Sequence, residues 1–290
     1  MNSFTRDLLD WIENNLTGKL TIDDVSVKAG YSKWHLQRIF REDTGFHLAS
    51  YIRYRKLNKA AMILRMTHMP AVEISELLGF STQQTFTRSF TRHFGAAPGK
   101  YRDASEWNFR GMVARASPNL SDLPEAETVT QGPGIIPGLS LSYLCDYREL
   151  EDVNYHCEQR KHLLSKAVSV FKGTLPQVVA ENFEPDTDCG RVKFTLTFQR
   201  HLQEVCYRNA SPDRFLRFSF SGTRQQLINM QADIYQYVMP FRPEARRQGH
   251  DFFVCHPQLP VISPELNDTF SGSYYIPVSV SRGDPLPPCM

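Results

Sequence analysis

The chain has 290 residues, a formal net charge of +2, and 41% apolar and 12% aromatic residues. That composition excludes wholesale disorder and is enough for one large or two ordinary domains. The longest apolar runs fall far short of the ~20 residues a membrane helix needs, and Met1 leads into polar residues rather than a signal stretch, so a cytoplasmic protein with no membrane attachment is expected. Six cysteines (Cys145, Cys157, Cys189, Cys206, Cys255 and Cys289) occur without a C-x-x-C pair. Close pairs are what a structural zinc site needs, so reduced thiols are expected, with no metal and no cofactor.

Charge is unevenly spread. Residues 1–110 hold 16 Lys and Arg against 11 Asp and Glu, and the remainder holds 17 against 20. A basic front (+5) joined to a mildly acidic back (−3) points to two domains with different partners.

The first hundred residues read as helices. "SFTRDLLDWIENNL" places Leu8, Leu9, Ile12 and Leu16 at helical spacing, stopped by Thr17-Gly18. The acids of this segment, Asp7, Asp10 and Glu13, read as a solvated face, with a polymerase contact as the alternative. Thr21 with Asp24 forms a capping-box start for a helix ending at Gly30. Ser32 then caps a helix with Leu36, Ile39 and Phe40 on its core side. A longer helix spans about His47 to Met66, Met69-Pro70 breaks the chain, and "AVEISELLG" stops at Gly79. Ser81 is expected to cap "TQQTFTRSFTRHFG", with Phe86, Phe90 and Phe94 inward. Pro98-Gly99 is expected to close it, before one more short helix at "KYRDASEW".

Within this run lies a repeat. Gly30-Tyr31-Ser32 recurs as Gly79-Phe80-Ser81, and Arg38, Phe40 and Gly45 recur as Arg88, Phe90 and Gly95. Each copy is helix, turn, capped helix: a helix-turn-helix, twice. The outward residues of the first copy are Lys33, Trp34, Gln37, Arg38 and Arg41; those of the second are Gln83, Gln84, Thr87, Arg88 and Thr91. Arg suits guanine bidentately, Gln suits adenine, and small hydroxyls suit phosphate. The connecting helix is about 30 Å long at ~1.5 Å per residue, against ~34 Å between successive major grooves on one side of B-DNA. One chain could therefore hold two reading heads on double-stranded DNA. For either copy alone, Trp34 packed on a neighbouring helix and Gln83-Gln84 as a solvated face are the competing readings.

"AGYSKWHLQRIFREDTG" followed by "GFSTQQTFTRSFTRHFGAAPGKYR" resembles the DNA-binding domain of AraC/XylS transcription regulators, and within that family the MarA/SoxS/Rob branch. The resemblance covers roughly residues 3–105. It implies base contacts by Trp34, Gln37 and Arg38 in the first recognition helix. In the second it implies Gln83, Gln84 and Arg88, with Thr85 and Thr87 as close neighbours. From the helix faces themselves, Lys33, Arg41 and Thr91 are read as phosphate contacts. It also implies an activator of stress, drug-efflux and resistance genes that binds an asymmetric site as a monomer and associates with the nucleoid. Such an activator recruits RNA polymerase through sigma factor and through the C-terminal domain of the polymerase α-subunit.

Beyond about Arg110 the texture changes. The expected layout is a DNA-binding domain at 1–110, a Pro/Gly/Ser-rich linker at 111–133, and an α+β domain with a mainly antiparallel sheet at 134–290. Strands are expected at "LSLSYLCDY", "RVKFTLTF", "RFLRFSFSG", "HDFFVCHP" and "GSYYIPVSVS", and helices at "ELEDVNYHCEQRKHLLSKAVSVF" and "TRQQLINMQADIYQYVMPF". This half resembles the GyrI-like group, which implies sensing of small amphipathic or cationic molecules. Where that group carries an acid near the terminal strand, this chain has Ser273. Tyr143, Tyr155, Tyr235, Tyr237, Phe252, Tyr274 and Tyr275 are candidate pocket residues, with ordinary core positions as the alternative. Two other readings stand beside sensing: a hydrolase-like enzyme using the His156-Cys157 or Cys255-His256 neighbours, and a ligand-free partner-binding appendage. His162, His201 and His250 have no partner at a recognisable spacing, and no catalytic residue is assigned.

Overall fold

The computed structural model describes residues 2–116, 123–130, 132, 138–200, 214–256 and 269–280. The chain divides into two compact units.

The first unit is helical: α1 (Ser3–Asn14), α2 (Ile22–Ala29), α3 (Lys33–Thr44), α4 (Leu48–Met66), α5 (Ala71–Leu77), α6 (Gln83–Phe94) and α7 (Pro98–Arg102). Its boundaries follow the local chemistry. Asp24 accepts from the Thr21 amide at 2.8 Å while the Thr21 hydroxyl accepts from the Asp24 amide at 3.2 Å, the reciprocal capping box. Gly45 and Gly95 end α3 and α6 in the left-handed conformation (φ 77° and 74°), which costs other residues more.

Helix α6 differs from expectation at its start. Thr82, not Ser81, is the cap; its Oγ1 accepts from the Thr85 amide at 3.1 Å. The repeat offset grows from 49 at Gly79 to 50 by Thr82, so the extra residue lies in the turn and Thr82 takes the place of Ser32. Pro98-Gly99 likewise does not close α6 but opens α7, with Pro98 in its first turn, where a missing amide costs nothing.

Two aromatic-rich cores flank α4. Leu8, Leu9 and Ile12 of α1 pack with Leu36 and Phe40 of α3 and with Leu48, Tyr51 and Ile52 of α4. The rings of Phe80, Phe86, Phe90, Phe94 and Tyr101 form a chain of contacts at 4.7–5.6 Å. Glu13, expected on a solvated face, is half-buried. It receives Arg55 bidentately (2.9 Å) and the Tyr51 hydroxyl (2.6 Å). Asp10 pairs with Arg115.

The expected linker at 111–133 is split. Val113 accepts from Arg55 and Asn58 of α4 (2.9 and 2.7 Å), whereas Ala126–Val129 is a strand of the second unit. Residues 105–110 also belong to the second unit.

That unit is α+β. Its strands are β1 (Glu106–Trp107), β2 (Ala126–Val129), β3 (Leu139–Asp146), β4 (Val178–Pro185), β5 (Arg191–Gln199), β6 (Arg214–Gly222), β7 (Glu244–Arg247), β8 (Asp251–Cys255) and β9 (Phe270–Val280). Among the described residues they form one sheet in the order β1-β7-β9-β8-β4-β5-β3, with β6 pairing β9 and β2. Every described pairing is antiparallel. Helices α8 (Val153–Val170) and α9 (Arg224–Asp233) pack on each other. The expected long second helix ends at Asp233 and continues as a π turn (Ile234–Val238) and a 3-10 turn (Met239–Phe241), as Pro240 denies an amide to the ladder. Strands β1, β2, β4 and β7 were not expected from the sequence; the short helix expected at "KYRDASEW" stops at Arg102, and Glu106–Trp107 at its expected end pairs with β7 instead.

Candidate nucleic-acid interface

Helices α3 and α6 show the same burial pattern. Leu36 and Phe40 are sealed in one, Phe86 and Phe90 in the other. Lys33, Trp34, Arg38 and Arg41 are exposed and Gln37 is half-buried; Gln83, Gln84, Thr85 and Arg88 are exposed, while Thr87 and Thr91 are half-buried. The expected readers thus line the outward face of both helices, their first two turns foremost. Trp34 is 74% exposed, so the packed-tryptophan reading is excluded. The fixed Leu36/Phe40 side orients the opposite face, as a recognition helix requires.

The two faces are not equivalent electrostatically. Arg38 sits over the Trp34 ring at 5.7 Å and bonds Glu42 at 3.2 Å, and Lys33 pairs with Asp23 of α2. Arg88 and Arg41 have no ion-pair partner among the described residues. At the place of Glu42 the second copy has Arg92. Exposed pairs such as Arg38–Glu42 contribute only about 0.3–0.5 kcal/mol, so Glu42 is a weak hold on Arg38. The Thr85 hydroxyl meets that of Thr82 at 2.9 Å, which places Thr85 in the cap of α6 as well as on its exposed N-terminal end.

In the second unit a cavity of about 470 Å³ opens between α8, α9 and the sheet, within the usual range for small-molecule sites. Leu164, Val179, Leu196, Leu227, Phe253 and Phe270 give it apolar walls. Two carboxylates share its floor, Glu181 and Asp251, which are cross-strand partners. Each is held by an arginine. Arg160 reaches Glu181, and Arg246 meets Asp251 at 2.9 Å, with the Tyr235 and Tyr274 hydroxyls donating to the same carboxylate. Burial, and after it Asp251, pushes both tyrosines well up, so they remain donors. Burial also raises the Glu181 carboxyl, against the pull of Arg160.

Of the aromatic residues read as pocket candidates, only Tyr274 lines the cavity. Phe252 and Tyr275 join Val178, Ala180, Phe215 and Val254 in a core cluster, on the other face by the alternation of strand side chains. Ser273 falls on that face too, buried and 3.2 Å from His256 Nε2. Tyr143 is stacked on Phe194 and hydrogen-bonds His156 Nδ1 at 2.7 Å. The sequence pattern missed the cavity because its walls come from alternate residues of separate strands and two helices.

The sequence neighbours His156 and Cys157 diverge. His156 faces Cys145 Sγ at 4.0 Å, while Cys157 lines the cavity. Burial, then nearby acids led by Glu149, pushes the Cys145 thiol up to about 12; burial, then Arg160, takes His156 down to about 4. A protonated thiol beside a neutral imidazole is the opposite of an activated nucleophile. Burial likewise lifts Cys255 to about 11. Cys206, Cys289 and His201 lie outside the described residues. Among the described residues, no helix is long and apolar enough to cross a membrane.

Two capped helix-turn-helix units in one helical domain, with polar and basic outward faces, define the class: a double helix-turn-helix DNA-binding protein. A helix-turn-helix domain family matches residues 25–104. The right origin-binding protein of Escherichia coli K12 is 40% identical over 264 residues, 87% of this chain and 90% of that protein. The transcriptional regulator Rob of Salmonella typhimurium is 32% identical over 263 residues, with the same coverage. The multiple antibiotic resistance protein MarA of E. coli K12 is 47% identical over 95 residues, 33% of this chain and 75% of that protein. The chain belongs to the AraC/XylS family of DNA-binding transcription regulators, in its MarA/SoxS/Rob branch and on the Rob-like side of it.

Proposed function

We propose that the protein is a cytoplasmic, nucleoid-associated activator of stress, drug-efflux and resistance genes that binds an asymmetric site as a monomer. It recruits RNA polymerase through sigma factor and the C-terminal domain of the polymerase α-subunit. The observation that carries the two-headed part is the matched exposure of α3 and α6: Trp34, Gln37 and Arg38 read one groove, and Gln83, Gln84 and Arg88, flanked by Thr85 and Thr87, read the next. Lys33, Arg41 and Thr91 contact phosphate. Unlike facing sets (Trp-Gln-Arg against Gln-Thr-Arg) favour an asymmetric site. Footprinting and transcription in vitro with purified polymerase test this reading. One protected groove, or no stimulation at any selected site, would contradict it.

The second unit, GyrI-like in this reading, senses a small amphipathic molecule in the 470 Å³ cavity. Because Glu181 and Asp251 are each held by an arginine, a cation finds no free acid there, and an uncharged or acidic amphiphile fits better. Calorimetric titration of a compound panel tests it, with Val179→Trp, which fills the cavity, expected to abolish the heat.

A further inference from the structure

Lys56 lies midway along α4 and is 6% exposed. Its Nζ donates to the Gly18 carbonyl at 2.6 Å and the Leu78 carbonyl at 2.8 Å. Gly18 stands in the turn between α1 and α2, and Leu78 caps the end of α5, just before the turn into α6. The two turns also touch directly. The Gly18 amide donates to the Leu77 carbonyl at 2.6 Å. A Cβ on Gly79 would come within 2.2 Å of the Gly18 oxygen, and Gly79 has φ +68°. Nothing but glycine fits this contact.

Burying an ammonium is costly, and burial lowers the Lys56 pKa accordingly. A methionine of similar length would fill the same space without that cost, so packing alone does not account for the lysine. Its two acceptors come from different helix-turn-helix copies, 22 and 38 residues away. Helix α4 sets the separation of the copies, at about 28 Å for 19 residues, but a single helix does not fix their rotation about its axis. The junction supplies that second constraint.

We infer that Lys56 and the Gly18–Gly79 contact are positioning elements for DNA reading: they lock the two recognition helices at one angle, so the chain accepts one spacing between its two half-sites. This rests on both heads reading DNA.

The test uses the full chain and a duplex selected from a random pool by the wild-type protein, then lengthened by one or two base pairs between the protected grooves, and a duplex keeping only the first half-site. Wild type is expected to lose at least ~10-fold in affinity per inserted pair. Lys56→Met and Gly79→Ala are each expected to bind the half-site duplex as wild type does, which also reports that they are folded, while the loss per inserted pair shrinks to about 3-fold or less. Spacing dependence as steep in both variants as in wild type would overturn the inference, as would a uniform loss on every duplex including the half-site. Should one variant not fold, the other decides. If wild type itself is indifferent to spacing and to the second half-site, the two-headed reading fails instead.

Discussion

At the residue scale, the outward arginines differ in what they already hold. Arg38 rests between Trp34 and Glu42, while Arg88 has no ion-pair partner among the described residues. If both read guanine bidentately, Arg38→Ala and Arg88→Ala should each cost about 1–3 kcal/mol of binding and relax preference at a single base pair, measured by competition against a library randomised at that position. Arg41→Ala should instead weaken all sequences alike and flatten the salt dependence. In the second unit, His156 carries a pH prediction. Its pKa is about 4 in the fold against ~6.5 unfolded, so the unfolded chain binds the proton first. The stability it permits is complete above about pH 6.5 and is lost as pH falls towards 4, by up to ~3 kcal/mol. Denaturant midpoints of wild type and His156→Gln across pH 4–7 check this; the variant should show the shallower decline.

At the scale of elements, the cap of α6 separates two readings of the repeat. Thr82→Ala should destabilise the helical unit by about 1 kcal/mol, whereas Ser81→Ala should change it by no more than a few tenths, as read by thermal melts. The helices were legible because their signals are local: Thr21-Asp24, Ser32 and the glycines Gly30, Gly45 and Gly95 each act within one turn. The misassigned cap arose where a one-residue insertion shifts the repeat. Glu13 was misread as solvated because its partners, Tyr51 and Arg55, lie 38 and 42 residues away. Strand β4, with Glu181, Asn182 and Glu184 among its apolar residues, lacks a clean period of two because Glu181 turns inward to pair with Arg160. The exposed faces of α3 and α6 were visible in sequence; the cavity was not, because α8, α9, β4, β5, β8 and β9 converge on it only in the fold.

At the scale of the whole molecule, one chain carries two helix-turn-helix units and a separate α+β unit whose cavity is the candidate effector site. Such an effector can act only through differential affinity for two states of the protein. The expected outcome is therefore reciprocal: a compound that binds the second unit shifts DNA affinity, and saturating DNA shifts the affinity for that compound by the same factor. Paired titrations, with Val179→Trp as the cavity-filled control, measure both sides; equal affinities in every combination would leave the cavity without a regulatory role.

The central claim is that a single chain reads two successive major grooves with α3 and α6. Hydroxyl-radical and methylation-interference footprinting of a wild-type-selected duplex, with the stoichiometry fixed by light scattering, tests it most directly. One protein per duplex is expected, with two unlike protected grooves about one helical turn apart, Arg38→Ala losing interference in one groove and Arg88→Ala in the other. A two-to-one complex with symmetric protection, or an Arg88→Ala pattern identical to wild type, would contradict it.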